Sequence, residues 1–108
     1  MADTLHSSTG VLATSATDII DAVPSSTTET SIGLLLSNVN SSSADVTVDV
    51  SVTKSGGTLR HILNDVSLPA GTTLDIQTKI ALETGDKLQG LCSVASSAEF
   101  VVTFLRQT

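Results

Sequence analysis

Valine alternates with short polar residues along residues 46–53, which read Val-Thr-Val-Asp-Val-Ser-Val-Thr. Successive side chains of a β-strand point to opposite faces, so this segment has one apolar face and one polar face. A helix would not separate these residues, and the β-branched side chains disfavour one. The segment predicts an antiparallel strand with one solvated face. Four valines are expected to face the core: Val46, Val48, Val50 and Val52.

Turn signals divide the rest of the chain into short segments. The clearest is Lys-Ser-Gly-Gly at residues 54–57, which predicts a hairpin because glycine adopts positive φ readily. Residues 17–23 also allow a single helical turn as an alternative to a strand. The segments predicted as strands are residues 10–16, 18–23, 28–38, 44–53, 58–63, 66–68, 72–76, 79–82, 87–94 and 98–106. A bulge or turn at residues 64–65 is expected to separate 58–63 from 66–68. The last two segments are predicted to form a hairpin about residues 95–97.

About eight or nine short strands at this spacing predict an all-β fold, an antiparallel β-sandwich of jelly-roll or immunoglobulin-like type. With 108 residues, the chain has the size of one domain. Residues 1–9 are polar and are interpreted as an N-terminal arm or a first edge. Residues 10–108 are predicted to form the single sandwich domain.

Composition narrows the possible functions. The only aromatic residues are Phe100 and Phe104, and the absence of Trp and Tyr disfavours a site that stacks sugars or bases. The net charge is −6 and the five basic residues are scattered, so no nucleic-acid partner is expected. A weakly charged, Ser/Thr/Val-rich composition is common among extracellular and virion β-proteins.

The sequence shows no signal peptide and no apolar stretch of transmembrane length, so no membrane partner is expected. The expectation is synthesis in a host cytoplasm and release by lysis, as for virion proteins. Cys92 is the single cysteine and is expected to be a small buried hydrophobe rather than part of a disulfide.

Catalytic residues are not apparent. The chain has no G-x-S-x-G motif, and only His6 and His61 could act as the base of a hydrolase triad. The first lies in the predicted arm and the second in a predicted strand, where surface or packing roles are the simpler interpretation. No cofactor loop is present, because the glycine pair at residues 56–57 leads into a strand rather than a helix. The chain is therefore predicted not to be an enzyme and to need no cofactor.

Metal binding is also not predicted. Zinc needs clustered Cys and His, which this sequence does not contain. Asp45 and Asp49 share a strand face but are about 13 Å apart, too far to hold one calcium ion together. Asp18 and Asp21 could approach each other in a turn, which leaves calcium as an alternative. The simpler interpretation is that these carboxylates keep strand faces solvated.

Two predicted strands are apolar on both faces. Ile32, Leu34 and Leu36 share one face by alternation, whereas Leu35 lies on the other face beside Gly33. A sandwich of this size covers only one face of each sheet, so an apolar residue on the other face indicates a contact with another subunit.

The last strand has the same property. Val101 and Leu105 lie opposite the face that carries Phe100 and Phe104. The sequence therefore predicts a protein–protein interface, and its candidate residues are Leu35, Val101 and Leu105.

Residues 63–75 (LNDVSLPAGTTLD) and 80–88 (IALETGDKL) resemble a pattern in small virion structural and accessory proteins of tailed bacteriophages. In that group a strand ends at a Pro-Ala-Gly turn and a later strand begins after a Gly-Asp turn. Residues 32–40 are similar to the L-L-x-N-x-N/S strand that precedes an alternating valine strand. The resemblance covers residues 9–106. It implies a capsid decoration, neck or tail component, and the group contributes no catalytic residues.

The expected function is that of a non-enzymatic virion structural protein, first of all a capsid decoration or cement protein. The apolar residues on the outer faces predict a homo-oligomer. The resemblance makes a trimer the first expectation, bound to the major capsid protein or to neck and tail proteins. A neck or tail component and a receptor- or glycan-binding adhesin are the alternatives. The missing Tyr and Trp count against the adhesin, and a hydrolase lacks an identifiable nucleophile and base.

Overall fold

The computed structural model describes residues 3–108 and places them in nine strands, without a helix. None of these residues belongs to a helix able to cross a membrane. The strands are β1 Asp3–Val11, β2 Thr17–Ile20, β3 Thr28–Asn38, β4 Val46–Thr53, β5 Leu59–Leu68, β6 Thr73–Ile76, β7 Ile80–Leu82, β8 Lys87–Cys92 and β9 Ala98–Gln107.

The strands form two antiparallel sheets, which confirms the predicted β-sandwich. Sheet A has the order β1-β9-β3-β6, and β7 also pairs with β3. The short strands β6 and β7 lie one after the other along the same edge of β3, because they pair with different parts of it. Sheet B has the order β2-β8-β4-β5. Most connections therefore cross from one sheet to the other.

The hairpin predicted at residues 54–57 joins β4 to β5, which are neighbours in sheet B. Gly56 has a φ of 69°, a conformation that glycine adopts without a Cβ clash. The Gly57 N–H donates to the Lys54 carbonyl at 2.8 Å and closes the turn. Local turn chemistry was sufficient to identify this connection.

The hairpin predicted from residues 87–94 and 98–106 is wrong. β8 lies in sheet B and β9 in sheet A, so the segment 93–97 crosses between the sheets. The Ser93 N–H donates to the Thr47 carbonyl at 2.9 Å, which holds the start of this crossing against β4. Small polar residues indicate that the chain reverses, but they do not determine whether the next strand lies beside the previous one or across from it.

The chain also crosses between the sheets after β1, so residues 10–16 do not form the predicted strand. The Leu12 N–H donates to the Ala98 carbonyl, and the Ala13 carbonyl accepts from the Cys92 N–H. This segment thus bonds to sheet A at one residue and to sheet B at the next.

The two neighbouring strands also differ from their predicted bounds. β1 spans the boundary predicted between arm and domain, although residues 1–2 lie outside the described residues. The strand predicted over 18–23 is β2, which ends at Ile20.

The valine strand β4 lies inside sheet B, and three of its valines are buried as predicted: Val46, Val48 and Val50 are 0–2% exposed. Val52 is half-buried and packs against the core. The pairing of β4 with β5 shifts register on both sides of Val50, but the extra residues lie on β5, and β4 pairs with β8 without a shift through Val52.

A register shift in β3 changes which residues face the core. Its pairing with β9 shifts between Ser31 and Gly33. Ser31 is buried on one side of this bulge, Ile32 is exposed within it, and Leu34 is buried after it. The prediction that Ile32 faces the same way as Leu34 is therefore wrong, because a bulge inserts one residue and reverses the alternation.

Asp86 is a buried carboxylate that joins two turns. It accepts hydrogen bonds from the Glu83 N–H at 2.8 Å and the Ser55 N–H at 2.9 Å, and it forms an ion pair with Lys54. Burial alone would raise the pKa of Asp86, but the hydrogen bonds from Lys54 and the two backbone groups outweigh burial and lower it. The hydrogen bonds that Lys54 donates to the carboxylates of Asp86 and Glu83 raise the pKa of Lys54.

The burial of β4 yields a prediction for a pair of adjacent substitutions. Val48→Asp places an unpaired charge at a fully buried position and should lower the free energy of unfolding by about 4 kcal/mol or more. Thr47→Asp, on the opposite face, should cost much less. Thermal unfolding followed by circular dichroism measures both. Similar melting temperatures for the two variants would contradict the assignment of faces.

The Asp86 contacts predict acid sensitivity. Because folding lowers the pKa of Asp86, its stabilisation is present above the ordinary value of 3.8 and is lost as the pH falls below it. Asp86→Asn should lower the free energy of unfolding by about 2 kcal/mol at pH 7 and flatten its decline below about pH 4. Urea denaturation at pH 3, 5 and 7 tests this. If the free energy of unfolding fell equally at low pH in wild type and in Asp86→Asn, other groups would be responsible for the acid sensitivity.

Candidate protein interface on the outer face of sheet A

Leu35 and Val101 lie next to each other on the solvent-facing side of sheet A. They are direct partners in the pairing of β3 with β9. Leu35 is 40% exposed and Val101 is 42% exposed. Cross-strand partners on one face have Cβ atoms about 5 Å apart, so the two side chains form one apolar surface.

Leu105 lies on the same face, four residues further along β9. This spacing corresponds to about 13 Å, so Leu105 does not touch the Leu35–Val101 pair. Its partner on β1 is Leu5, which is 68% exposed, and its partner on β3 is Thr30. The structure thus places the three predicted interface residues on one face but in two groups.

The outer face contains further exposed aliphatic residues that the sequence interpretation did not assign to it, among them Leu5 and Ile32. Leu5 was included in the polar arm, and its pairing with Leu105 depends on a contact between the two ends of the chain. Ile32 is 37% exposed because of the bulge in β3. An apolar residue within a polar segment was the only sequence signal for Leu5. The outer-face patch is defined here as Leu5, Ile32, Leu35, Val101 and Leu105.

A hollow of 490 Å³ lies within this patch. Gly33 and Thr103 are partners near its centre, and a Cβ atom at Gly33 would meet no atom within 4 Å. Ile32, Leu35 and Val101 are part of its lining. The hollow can therefore accommodate a protruding side chain of another protein.

Polar side chains lie beside the hollow on the β6–β7 side. Asp75, Gln77 and Lys79 contribute to its lining, and the Gln77 Nε2 donates to the Asp75 Oδ2 at 2.9 Å. An apolar centre with polar groups at its margin is the usual arrangement of a protein–protein interface.

The two histidines lie in different sheets, His6 on β1 and His61 on β5. The His6 ring stacks on Phe104 with the ring centroids 5.5 Å apart, and its Nε2 is 2.9 Å from the Thr4 Oγ1. His61 is exposed. The fold therefore does not bring the two histidines into one site.

Asp45 and Asp49 bind backbone groups of neighbouring segments. Asp45 accepts from the Ala70 N–H at 2.9 Å, and Asp49 accepts from the Asp65 N–H at the bulge of β5. These contacts hold a turn and a bulge in place. This role was not recognised from the sequence, because both partners lie at least sixteen residues away.

Asp18 and Asp21 were left open by the sequence as a calcium site, and they lie on β2 and directly after its last residue. Asp18 accepts from the Gln89 Nε2 at 2.8 Å. The pKa of Asp21 lies below its ordinary value, chiefly because its carboxylate accepts a hydrogen bond from the Ala22 N–H at 2.7 Å. Among residues 3–108, no three His, Cys, Asp or Glu side chains are grouped in a way that could hold a metal ion.

Comparison with known proteins finds similarity in structure. No protein-family model and no curated protein sequence matches the chain. A chain of the acid-stable capsid of Helicobacter pylori bacteriophage KHP30 aligns with a TM-score of 0.54 and 14% identity, over 98% of this chain and 87% of that one. A chain of the T13 particle of infectious bursal disease virus aligns with a TM-score of 0.57 and 10% identity, over 96% of this chain.

A third similar structure is a chain of the Bacillus endospore appendages, which are disulfide-linked pili. It aligns with a TM-score of 0.55 and 19% identity, over 99% of this chain and 87% of that one. The present chain spans 30% of the length of the infectious bursal disease virus chain. At these identities the similarity establishes a shared β-sandwich fold, which occurs both in viral particles and in a bacterial pilus.

The open space at Gly33 predicts a difference between two strand glycines. A Cβ at Gly10 would lie 2.7 Å from the Phe100 ring, whereas a Cβ at Gly33 would meet nothing. Gly33→Ala should leave the melting temperature unchanged or raise it, and Gly10→Ala should lower the free energy of unfolding by about 1–3 kcal/mol. Thermal unfolding of both variants tests the geometry. If Gly33→Ala lowered the free energy of unfolding more than Gly10→Ala, the space above Gly33 would not be open as the structure shows it.

Proposed function

We propose that this chain is a non-enzymatic virion structural protein, and specifically a capsid decoration or cement protein of a tailed bacteriophage. In this function the outer-face patch contacts other virion proteins, such as the major capsid protein. The observation that carries the proposal is an apolar, hollowed outer face on a sandwich whose core already lies between its two sheets. Several exposed apolar residues on one face, such as the paired Leu35 and Val101, mark a contact surface.

The fold supports a place in a virion. A similar sandwich occurs in the capsid of bacteriophage KHP30 and in the infectious bursal disease virus particle, and nearly the whole of this chain aligns with each. Sequence composition agrees with this, because low charge and abundant Ser and Thr are common in virion β-proteins. Synthesis in the host cytoplasm and incorporation into the particle complete the proposal.

Proteins are the proposed partners, rather than nucleic acids. The chain has a net charge of −6 and five basic residues. Two of these five already pair with carboxylates: Lys54 with Asp86, and Arg106 with Glu29. Little positive charge therefore remains for phosphate contacts. Copies of this chain are also proposed partners in a homo-oligomer, in which symmetric contacts reuse the same patch in each copy. The resemblance to tailed-phage virion proteins makes a trimer the first expectation.

Three other functions share this fold or surface. A neck or tail component would use the same patch on a different part of the particle, and a receptor- or glycan-binding adhesin would use the loops. A pilus subunit is suggested by the alignment with the endospore appendage chain. The only cysteine of this sequence, Cys92, is 0% exposed, so it offers no accessible thiol for the disulfide linkage of those pili.

The patch predicts which substitutions disrupt assembly. Leu35→Asp should dissociate the oligomer, because it places a charge in the apolar contact. Leu59→Asp is a matched control, since Leu59 is 38% exposed against 40% for Leu35 but lies on β5 of sheet B. Light scattering should give the oligomer mass for wild type and Leu59→Asp, and a smaller mass for Leu35→Asp, which loses the patch contact. The mass should persist at high salt, because an apolar contact is not screened.

Incorporation into particles tests the proposed location. Purified virions from cells that produce the tagged chain should contain wild type and Leu59→Asp but not Leu35→Asp. Gly33→Leu should also be excluded, because it fills the hollow. Equal incorporation of all four proteins would contradict the proposed contact. Filaments of purified protein in electron micrographs would favour the pilus function, and specific signals on a glycan array would favour the adhesin.

A further inference from the structure

The two sheets have free edges that could pair with a strand of another protein, and most of these edges carry protective features. β2 is four residues long, and its pairing shifts register between Asp18 and Ile20. β6 and β7 are four and three residues long and share one edge. β5 is interrupted by a bulge at Asp65, which has a φ of 52°. Short, bulged or charged edges discourage pairing with other strands.

β1 has none of these features. It is nine residues long and pairs with β9 without a register shift. Its sequence, DTLHSSTGV, contains no proline, lysine or arginine, and Asp3 is its only carboxylate. A regular edge strand of this length with a single carboxylate at one end is a template for strand addition.

The hydrogen bond at the end of β1 determines which backbone groups are free. The Leu12 N–H donates to the Ala98 carbonyl, so residue 12 points its backbone groups towards β9. Backbone groups alternate along an antiparallel strand, which directs those of the odd-numbered residues 3–11 away from β9. The side chains of these same residues are exposed on the outer face. The N–H and C=O groups of these residues that are not bonded to β9 therefore lie along the edge of sheet A.

We propose that β1 of one copy pairs with β1 of a second copy, in antiparallel orientation about a two-fold axis at Ser7. This register overlaps residues 3–11 fully and joins the two A sheets into one continuous sheet. Ser7 lies opposite Ser7 of the second copy, Leu5 opposite Thr9, and Asp3 opposite Val11. Each pair of odd-numbered residues exchanges two hydrogen bonds, for a total of about ten.

Self-pairing of β1 gives its free backbone groups hydrogen-bond partners and keeps its charged side chains apart. The two Asp3 carboxylates fall at opposite ends of the shared ladder, about 26 Å apart, so they do not repel each other strongly. No charged side chain faces another across the contact. An isologous contact of this kind uses the same residues on both copies.

The proposed pairing also extends the apolar surface. Leu5 belongs both to β1 and to the outer-face patch, so the patches of the two copies become parts of one surface across the joined sheets. The inference rests on the homo-oligomer of the proposed function, and it specifies the edge by which copies join. It is a two-fold contact, separate from any three-fold contact that the patch makes in a trimer.

Cysteine cross-linking tests both the contact and its register. In the proposed ladder the Ser7 Cα atoms are about 5.5 Å apart, within the range that a disulfide spans. Ser7→Cys should therefore form a disulfide-linked dimer rapidly on mild oxidation. Ser67→Cys is the matched control, because Ser67 is exposed on β5, a protected edge. The wild type, whose Cys92 is buried, should remain unlinked.

Two further variants test the register. Leu5→Cys and Thr9→Cys should each cross-link poorly alone, since each residue is about 13 Å from its own counterpart, but should link rapidly when mixed. Linking of Leu5→Cys alone as fast as the mixture would overturn the register. Linking of Ser7→Cys no faster than Ser67→Cys would overturn the contact.

The result can be separated from a failure of the proposed function. Rapid cross-linking of Ser7→Cys by a chain that is absent from purified virions would refute the virion function and support the β1 contact. A chain that is present in virions but does not cross-link would support the virion function and refute the β1 contact. Ser7→Pro gives an independent measurement, because it removes an N–H at the free edge and leaves the β9 ladder intact. It should abolish the two-fold dimer in light scattering without unfolding the domain.

Discussion

The apolar layer between sheets A and B is the interaction on which the rest of the structure depends. Burial of one large aliphatic side chain contributes about 1.5–3 kcal/mol, while a domain of this kind retains only about 5–15 kcal/mol in total. The layer therefore determines which face of each strand lies inside. Polar groups at its margins need internal partners, as Asp86 finds in Lys54 and Glu29 in Arg106. Among the described residues, no buried side-chain nitrogen or oxygen lacks a hydrogen-bond partner.

Bulges adapt the strands to this layer and shape the outer surface at the same time. The bulge in β3 keeps Ser31 and Leu34 inside, and it does so by turning Ile32 outward. The hollow above Gly33 lies next to this irregularity, between β3, β9 and β6. The bulge that keeps the core residues of β3 inside thus also shapes the hollow in the outer-face patch.

The two sheets differ in how much apolar surface and how many free backbone hydrogen-bonding groups they expose. Sheet B presents polar side chains such as Thr47, Asp49 and Gln89 on its outer side, and its edges are short or bulged. Sheet A has an apolar outer face and one long regular edge, β1. Both kinds of unused contact, apolar surface and backbone hydrogen bonds, therefore lie on sheet A. This asymmetry would direct contacts with other proteins to one side of the domain.

The sequence by itself determined the features that depend on neighbouring residues. Alternation identified β3 with its correct bounds and placed Leu35 opposite the core, and glycine identified the hairpin after β4. Only the tertiary structure decided that Leu5 belongs to the outer-face patch and that Ile32 is exposed. It also decided that β8 and β9 lie in different sheets. The physical reason is that alternation and turn chemistry act over a few residues. A bulge, an edge or a choice of pairing partner depends on contacts between distant segments, and those form only when the two sheets close over a common core.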